Sequence, residues 1–281
     1  MYSFFTKNFE NYIIENSKEH LIYLIPGEKL ASQFDWYGEQ RAEAFNVFKT
    51  NPLKNDIEEK DFFYFHMIIW NKETNELAGG QRFLFNQKGF SKNKNHSYIE
   101  EYHPGTYEQL KDLSFCEIGR TFVMPRFQNK TVLRELIRGF VRIPESKGMD
   151  LGIGLISFND KFLNNNSVKA FLKFLENTKT NNLKLPEGKY NLNDQLDDFT
   201  IEFNYGFEYN SLNKIEKEIK KLDSNFKLPP VLKPYVKFCG LKYETYSIAR
   251  DYNGIIQILL SGRYNEIEKY PMKKFKNFEF M

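Results

Sequence analysis

The stretch Cys116-Glu117-Ile118-Gly119-Arg120-Thr121-Phe122-Val123-Met124-Pro125-Arg126-Phe127 constrains this chain more than any other. It reads as a short apolar strand with a Glu and an Arg embedded in it, stopped by a Pro-Arg turn. A helix rich in Leu, Ile and Arg follows, and then a second apolar strand. Burying charge inside a strand costs free energy unless the charges are paired or used. A strand-to-helix turn directly after such charges suits an anionic group held beside a chemical centre.

Alternation along an extended strand puts Glu117, Gly119, Thr121 and Val123 on one face and Ile118, Arg120 and Phe122 on the other. A bulge at Gly119 would instead bring Glu117 and Arg120 to one side. It would also splay the strand from its neighbour and free backbone N–H groups to polarise a carbonyl. The plainer reading is a buried ion pair without chemistry. The turn 125–131 could cradle a phosphate with its N–H groups and cationic side chains, or simply be a solvated basic cap.

Around this stretch the periodicity predicts an alternating series of strands and helices. Leu21–Ile25 is a strand ended by Pro26-Gly27. Phe34, Tyr37, Arg41, Ala44, Phe45 and Phe48 recur at helical spacing. Phe62–Trp70 and Leu77–Phe85 form a hairpin across a polar turn. Phe115–Val123 is then the fourth strand, 131–146 a helix with Arg134, Arg138 and Arg142 off its apolar stripe, and Leu151–Phe158 the fifth strand. Helices are expected over 168–175, 212–222 and 231–238, and closing strands over 243–248 and 255–260. Two polar insertions, near 86–112 and 178–198, read as surface excursions.

Arg82, after Gly79-Gly80-Gln81, could clamp a carboxylate in a bidentate fork, the glycines admitting a ligand or another chain; the alternative is an edge arginine reaching solvent. His66, alone in an apolar strand, is more simply a satisfied core residue than a base. Cys116 reads as core packing.

Composition narrows the function. A net charge of +3 over 281 residues is too small to argue for nucleic acid, and no nucleic-acid-binding signature is visible. The 28 Phe and 17 Tyr invite a lipid-binding reading, but Asn, Lys and Ile are abundant too, which points to codon bias. Two cysteines, Cys116 and Cys239, without a Cys-x-x-Cys pair argue against a disulfide framework and a structural zinc site. No leader and no run of about 18 apolar residues is found, so a cytoplasmic protein is expected, with contact to the inner membrane face as an option through Lys269–Lys276. No Gly-x-Ser-x-Gly, His-Glu-x-x-His or Walker motif is present.

Several motifs together resemble the GNAT superfamily, and within it the long-chain N-acyltransferases of ornithine and glycine lipids, the N-acyl amino acid synthases and the acyl-homoserine-lactone synthases. Glu117-Ile118-Gly119-Arg120-Thr121-Phe122-Val123 is similar to the Glu-Leu-Gly-Arg-x-x-Val strand of that group. Ala78-Gly79-Gly80-Gln81-Arg82-Phe83-Leu84 resembles its Val-Gly-Thr-x-Arg-Leu strand, Arg41-x-x-x-Phe45 its first helix, and Phe65-His66-Met67-Ile68-Ile69 its His-Leu strand. Leu228-Pro229-Pro230-Val231-Leu232-Lys233-Pro234-Tyr235 resembles a Leu-Pro-Pro-Leu-Leu-Lys-x-Tyr segment of the aminolipid branch. Two departures stand out. Gln128-Asn129-Lys130-Thr131 lacks the glycines of the usual acetyl-CoA loop, and Asp56–Asp61 does not reproduce the group's Asp-x-Phe-Asp pattern.

The resemblance implies an α/β (α+β) fold: a mixed, mostly antiparallel central sheet with helices on both faces and a splayed, bulged fourth strand, in one domain over 1–281. It implies an N-acyltransferase moving a fatty acyl group from acyl carrier protein, or from acyl-CoA, to an amino acid or related small amine. Glu117, Arg120 and Arg82 would be catalytic, with Glu117 accepting the amine proton. Phe122, Val123, Arg126, Gln128, Asn129, Lys130 and Thr131 would meet the donor, and Arg41, Phe45, His66 and Ser157 the substrate. Neither a metal nor a permanently bound cofactor is implied. The glycine-free turn fits acyl carrier protein as donor and partner. The alternatives are an acetyl-CoA-dependent acetyltransferase and a catalytically silent module that binds lipid.

Overall fold

The protein is described by a computed structural model over residues 2–46, 54–89, 92–128, 130–158, 165–180, 183–192, 196, 206–250, 254–267 and 273–275. Eight strands form one sheet in the order β1-β2-β3-β4-β5-β6-β8-β7. They are β1 (Ile13–Asn16), β2 (His20–Pro26), β3 (Phe65–Asn71), β4 (Glu76–Asn86), β5 (Phe115–Val123), β6 (Leu151–Phe158), β7 (Lys242–Ala249) and β8 (Ile255–Arg263). Every neighbouring pair is antiparallel except β5 and β6. A parallel pair needs a crossover, and the crossover here is a 17-residue helix, Lys130–Ser146. The mixed sheet expected from the sequence is thus observed.

β3 and β4 sit mid-sheet and are covered on both faces, which is why they are near-continuous apolar runs rather than alternating ones. The helices are α1 (Tyr2–Phe9), α2 (Gly27–Leu30), α3 (Phe34–Asn46), α4 (Tyr98–Tyr102), α5 (Thr106–Gln109), α6 (Lys130–Ser146), α7 (Asn165–Asn177), α8 (Tyr209–Ile219) and α9 (Leu232–Cys239). Two adjacent glycines on β4 locate the layers. A Cβ on Gly79 would lie 3.1 Å from Val132 Cγ1 of α6, and one on Gly80 would lie 3.0 Å from Tyr37 Oη of α3. Successive residues of a strand point to opposite faces, so α6 covers one face and α3 the other. The glycines therefore admit helices and not a ligand. The α6 stripe of Val132, Leu136, Phe140 and Ile143 is buried, and Gly148, at φ +69°, turns the chain out of that helix toward β6.

Three expectations are corrected. β1, only four residues long, pairs ahead of the strand at 20–26, so the charged strand is the fifth and not the fourth. Phe62 and Phe63 belong to a 3-10 turn over Glu59–Phe63, and the strand begins at Phe65. The segment 86–112 is not a surface excursion. It carries α4 and α5, and its Ile99, Tyr107 and Leu110 join Phe115, Leu151 and Ile153 in a second apolar cluster. Leu183 and Leu185, from the other polar insertion, close that cluster; much of 178–198 lies outside the described residues.

β5 departs from regular geometry twice. Against β4, Gly80 pairs with Phe122 and Arg82 with Gly119, so Gln81 faces both Arg120 and Thr121. That is a β-bulge, one residue beyond the expected Gly119, and Arg120 takes φ +49° within it. Against β6, the parallel ladder runs only from Phe115/Leu151 to Ile118/Gly154. Beyond Ile118 the two strands part.

Gly79 tests this layering. Its Cβ would lie 2.7 Å from the carbonyl oxygen of Phe122, backbone that cannot swing away. Gly79→Ala is expected to lower stability by about 1–3 kcal/mol, read as a fall in the urea unfolding midpoint; an unchanged midpoint would refute the close approach.

Candidate active site

Six charged side chains, from α3, the segment 56–61, β4 and β5, converge into one network. Arg41 of α3 donates from Nε to Asp56 at 2.9 Å and from Nη1 and Nη2 to the two carboxylate oxygens of Asp61 at 2.8 and 2.9 Å. Arg82 of β4 donates from Nη1 to Asp61 at 2.8 Å, and its Nη2 lies 3.5 Å from Glu58. Arg120 pairs with Glu58, and its Nε lies 3.6 Å from Asp56. Arg41 and Asp61 are fully buried, so these bonds replace water outright, and geometry this complete is what a buried ion pair requires.

Asp61 occupies its place because the Glu59–Phe63 turn is closed by a reciprocal capping box between Glu58 and Asp61. Burial raises the Asp61 pKa, but Arg41 and Arg82 outweigh it and hold the carboxyl well below the usual range. Burial pushes His66 down to about 4, against the pull of Asp61, so the ring is neutral at pH 7. Its Nε2 lies 2.9 Å from the Asp61 carbonyl oxygen.

The bulge decides which way Arg120 points. Glu117 pairs across from Leu84, on the Arg82 face. The extra residue turns Arg120 to that same face, toward Glu58 and over the Tyr98 ring at 5.2 Å. Thr121 turns to the other, where its hydroxyl lies 3.4 Å from Tyr235 Oη. Glu117 and Arg120 thus share a face, as a bulge was expected to make them.

Glu117 is held in place by the protein's own donors. Its carboxylate accepts from Tyr64 Oη at 2.6 Å, Ser97 Oγ at 2.5 Å, and the backbone N–H groups of Tyr98 and Ile99 at 3.0 and 3.2 Å. These last are first-turn donors of α4, so Glu117 fastens that helix to β5. Three of these donors fall on Oε1 and one, Ser97 Oγ, on Oε2, so the protein's own groups fix the orientation of the carboxylate at the cavity.

Where β5 and β6 part, a cavity of about 830 Å³ opens. One portion is lined by Leu133, Phe140, Ile156, Leu228, Pro229 and Leu260, and another by Arg82, Tyr98, Glu117, Arg120, Ser157 and Gln257. A volume of that order holds a drug-sized or larger ligand. Among the described residues, no group of side chains is placed to hold a metal ion, and no helix is long and apolar enough to cross a membrane.

Residues 41–138 match the family described as an acetyltransferase (GNAT) domain. These residues are similar to a GNAT domain, and the match spans the charged network together with β3, β4 and β5. A search of curated proteins gives no match. Among solved structures, the IAA acetyltransferase from Bacillus cereus ATCC 14579 aligns at 12% identity over 87% of this chain and 99% of its own, with a TM-score of 0.37. The N-acyl amino acid synthase FeeM, from uncultured soil microbes, aligns at 10% identity over 55% of this chain and 77% of its own, with a TM-score of 0.32. The AHL synthase LasI aligns at 13% over 50% of this chain and 74% of its own, with a TM-score of 0.36. Scores this low say nothing about substrate.

Around the cavity the structure gathers Arg82, Glu117, Arg120, Phe122, Val123, Phe45 and Gln128 from the matched segment, and Ser157 from beyond it. Arg41 and His66 stand behind it, buried against Asp61. Arg82 is not an edge residue: it is 2% exposed, and its two Nη groups grip the protein's own Asp61 and Glu58. Arg126 points away from the cavity, to an ion pair with Glu76, and is 64% exposed. Thr131 is half-buried and does not line the cavity; Asn129 and the Lys130 side chain lie outside the described residues. Most of Lys269–Lys276 also lies outside them, and Phe275 packs beneath Arg138 at 4.2 Å.

The sequence reading missed Asp56, Glu58, Asp61, Tyr64, Ser97 and Gln257. The signal for the first three was present as the acidic run 56–61; its spacing hid it.

Two outcomes follow from the network. Asp61→Asn strips the shared partner of two buried arginines and is expected to cost about 3–5 kcal/mol of stability, measured by urea denaturation. His66 and His103 are both lowered by burial from 6.5 to about 4, so the unfolded chain binds protons that the folded one refuses. Unfolding free energy is expected to decline as pH falls from about 6.5 to about 4; a flat profile over that window would contradict the neutral, buried rings.

Proposed function

We propose that this chain transfers a long acyl group from a thioester to the primary amine of an amino acid or related small amine. The observation that carries the reading is the single cavity at the splay of β5 and β6, apolar along one portion and charged along the other. The apolar portion accepts a hydrocarbon chain, whereas an acetyl group would leave most of it unfilled. The charged portion accepts a polar acceptor. The reacting carbonyl would lie between them, against the parted half of β5.

In the reaction, the neutral amine attacks the thioester carbonyl carbon. Backbone N–H groups of the parted half of β5 hold the oxyanion that develops. The C–S bond then breaks, the amine's proton leaves, and the thiol takes up a proton, giving an amide and a free thiol. Arg82 and Arg120 favour the neutral form of a nearby amine, since like charges disfavour the ammonium. They also attract an acceptor's carboxylate. Glu117 holds α4 and Tyr98 in place and leaves the proton to water. Acyl carrier protein is the proposed donor, because the turn 128–131 has no glycine for close approach of a pyrophosphate.

Purified protein offered long-chain acyl-ACP, long-chain acyl-CoA and acetyl-CoA with pooled amino acids, followed by mass spectrometry, tests this. Long-chain N-acyl amino acids are expected; acetyl products alone would replace the reading with an acetyltransferase. Ile156→Trp, which fills the apolar portion of the cavity, is expected to cut kcat/KM for the long-chain donor at least about tenfold more than for a short one. Glu117→Gln separates the two roles of that residue. As an anchor it should reduce kcat less than about tenfold, whereas a loss of about 10²–10⁴ would restore it as the general base.

A further inference from the structure

Gln257 lies on β8, 2% exposed, between Ser157 of β6 and Ser247 of β7. Its Nε2 donates to Tyr98 Oη at 2.8 Å. Its Oε1 is buried and has no hydrogen-bond partner among the described residues. Leaving such an acceptor unmet costs about 1–3 kcal/mol. The side chain lines the cavity, so the cost is met when a ligand supplies a donor.

The position says which donor. Tyr98, the residue that pins the Gln257 amide, also lies over the two cavity arginines, its ring centroid 5.2 Å from Arg120 Cζ and 5.7 Å from Arg82 Cζ. Gln257 therefore stands at the charged portion of the cavity and not along its hydrocarbon-lined part. Arg82 contributes a complementary feature there: its Nε is also buried without a hydrogen-bond partner among the described residues, a cationic N–H donor suited to a carboxylate oxygen. One open acceptor and one open cationic donor, joined through a single tyrosine, match a molecule that carries both an amine and a carboxylate.

We propose that Gln257 Oε1 accepts an N–H from the amine of an amino acid acceptor whose carboxylate is drawn to Arg82. The assignment rests on the acyl-transfer reading above and names the group that aims the nucleophile. A neutral carbonyl acceptor suits this task. It orients the amine without stabilising the ammonium as a carboxylate would, and it can keep its bond to the remaining N–H after the amide forms. It also makes the site selective, because an acceptor with a hydrogen-free nitrogen leaves Oε1 unmet.

The test uses the full chain with long-chain acyl-ACP and the amino acid it acylates best. Gln257→Leu is expected to raise the KM for the amino acid about 10–100-fold while the KM for acyl-ACP stays within about twofold. Gln257→Glu, of the same shape, places a carboxylate where the amide stood. It is expected to hold the amine protonated and move the acid limb of the kcat/KM profile upward by about one pH unit, a shift that a purely structural residue would not produce. An unchanged amino acid KM in Gln257→Leu, or a rise in the acyl-ACP KM instead, overturns the assignment and leaves acyl transfer standing. Failure of the wild-type protein to acylate any amine overturns both. Should Gln257→Leu not fold, the pH profile of Gln257→Glu decides: an unshifted acid limb overturns the assignment.

Discussion

The structure turns on Asp61. Its two carboxylate oxygens meet Arg41 from α3 and Arg82 from β4, and its carbonyl meets His66 from β3. One side chain thus ties a helix to two central strands inside a region closed to water. Asp61 is held by a local device, the reciprocal capping with Glu58 across the Glu59–Phe63 turn. Glu58 in turn reaches Arg82 and Arg120, so the local turn sets the position of both arginines at the cavity.

From that anchor the irregular backbone of β5 follows. A non-glycine residue at positive φ is costly, and Arg120 holds φ +49° where Glu58 and Asp56 meet its guanidinium. The bulge and the ion pairs support each other: the turn of the backbone aims Arg120 at the acidic cluster, and the cluster retains the turn. The same irregularity ends regular pairing just where β6 diverges. Active-site geometry and sheet geometry are here one feature.

The sequence disclosed the element series well because the apolar periods are strong in β3, β4, β5, β6 and α6. It failed where order comes from long-range contacts. β1 is four residues, too short to show a period. The segment 86–112 looked polar and aperiodic, yet Glu117 caps α4 within it and draws Ile99 into a core. At the site, residues of β5 were legible because charge inside an apolar strand demands an explanation. Asp56 and Asp61 were not, because their convergence depends on a 3-10 turn that spacing does not reveal. Gln257 was invisible for a different reason: an isolated polar residue in Ile255–Arg263 carries no signal until its neighbours across the sheet are known.

The parting of β5 and β6 has one more consequence. The matched GNAT segment, residues 41–138, contains every member of the charged network, whereas Ser157, Leu228–Val231 and Gln257, the opposite wall, lie beyond it. Four register pairs of parallel strand join the two, and Gln257 of the second wall also meets Tyr98 of the first. The ion pairs and the apolar wall thus occupy separate stretches of sequence, so the width of the cavity can be recut without disturbing the charges.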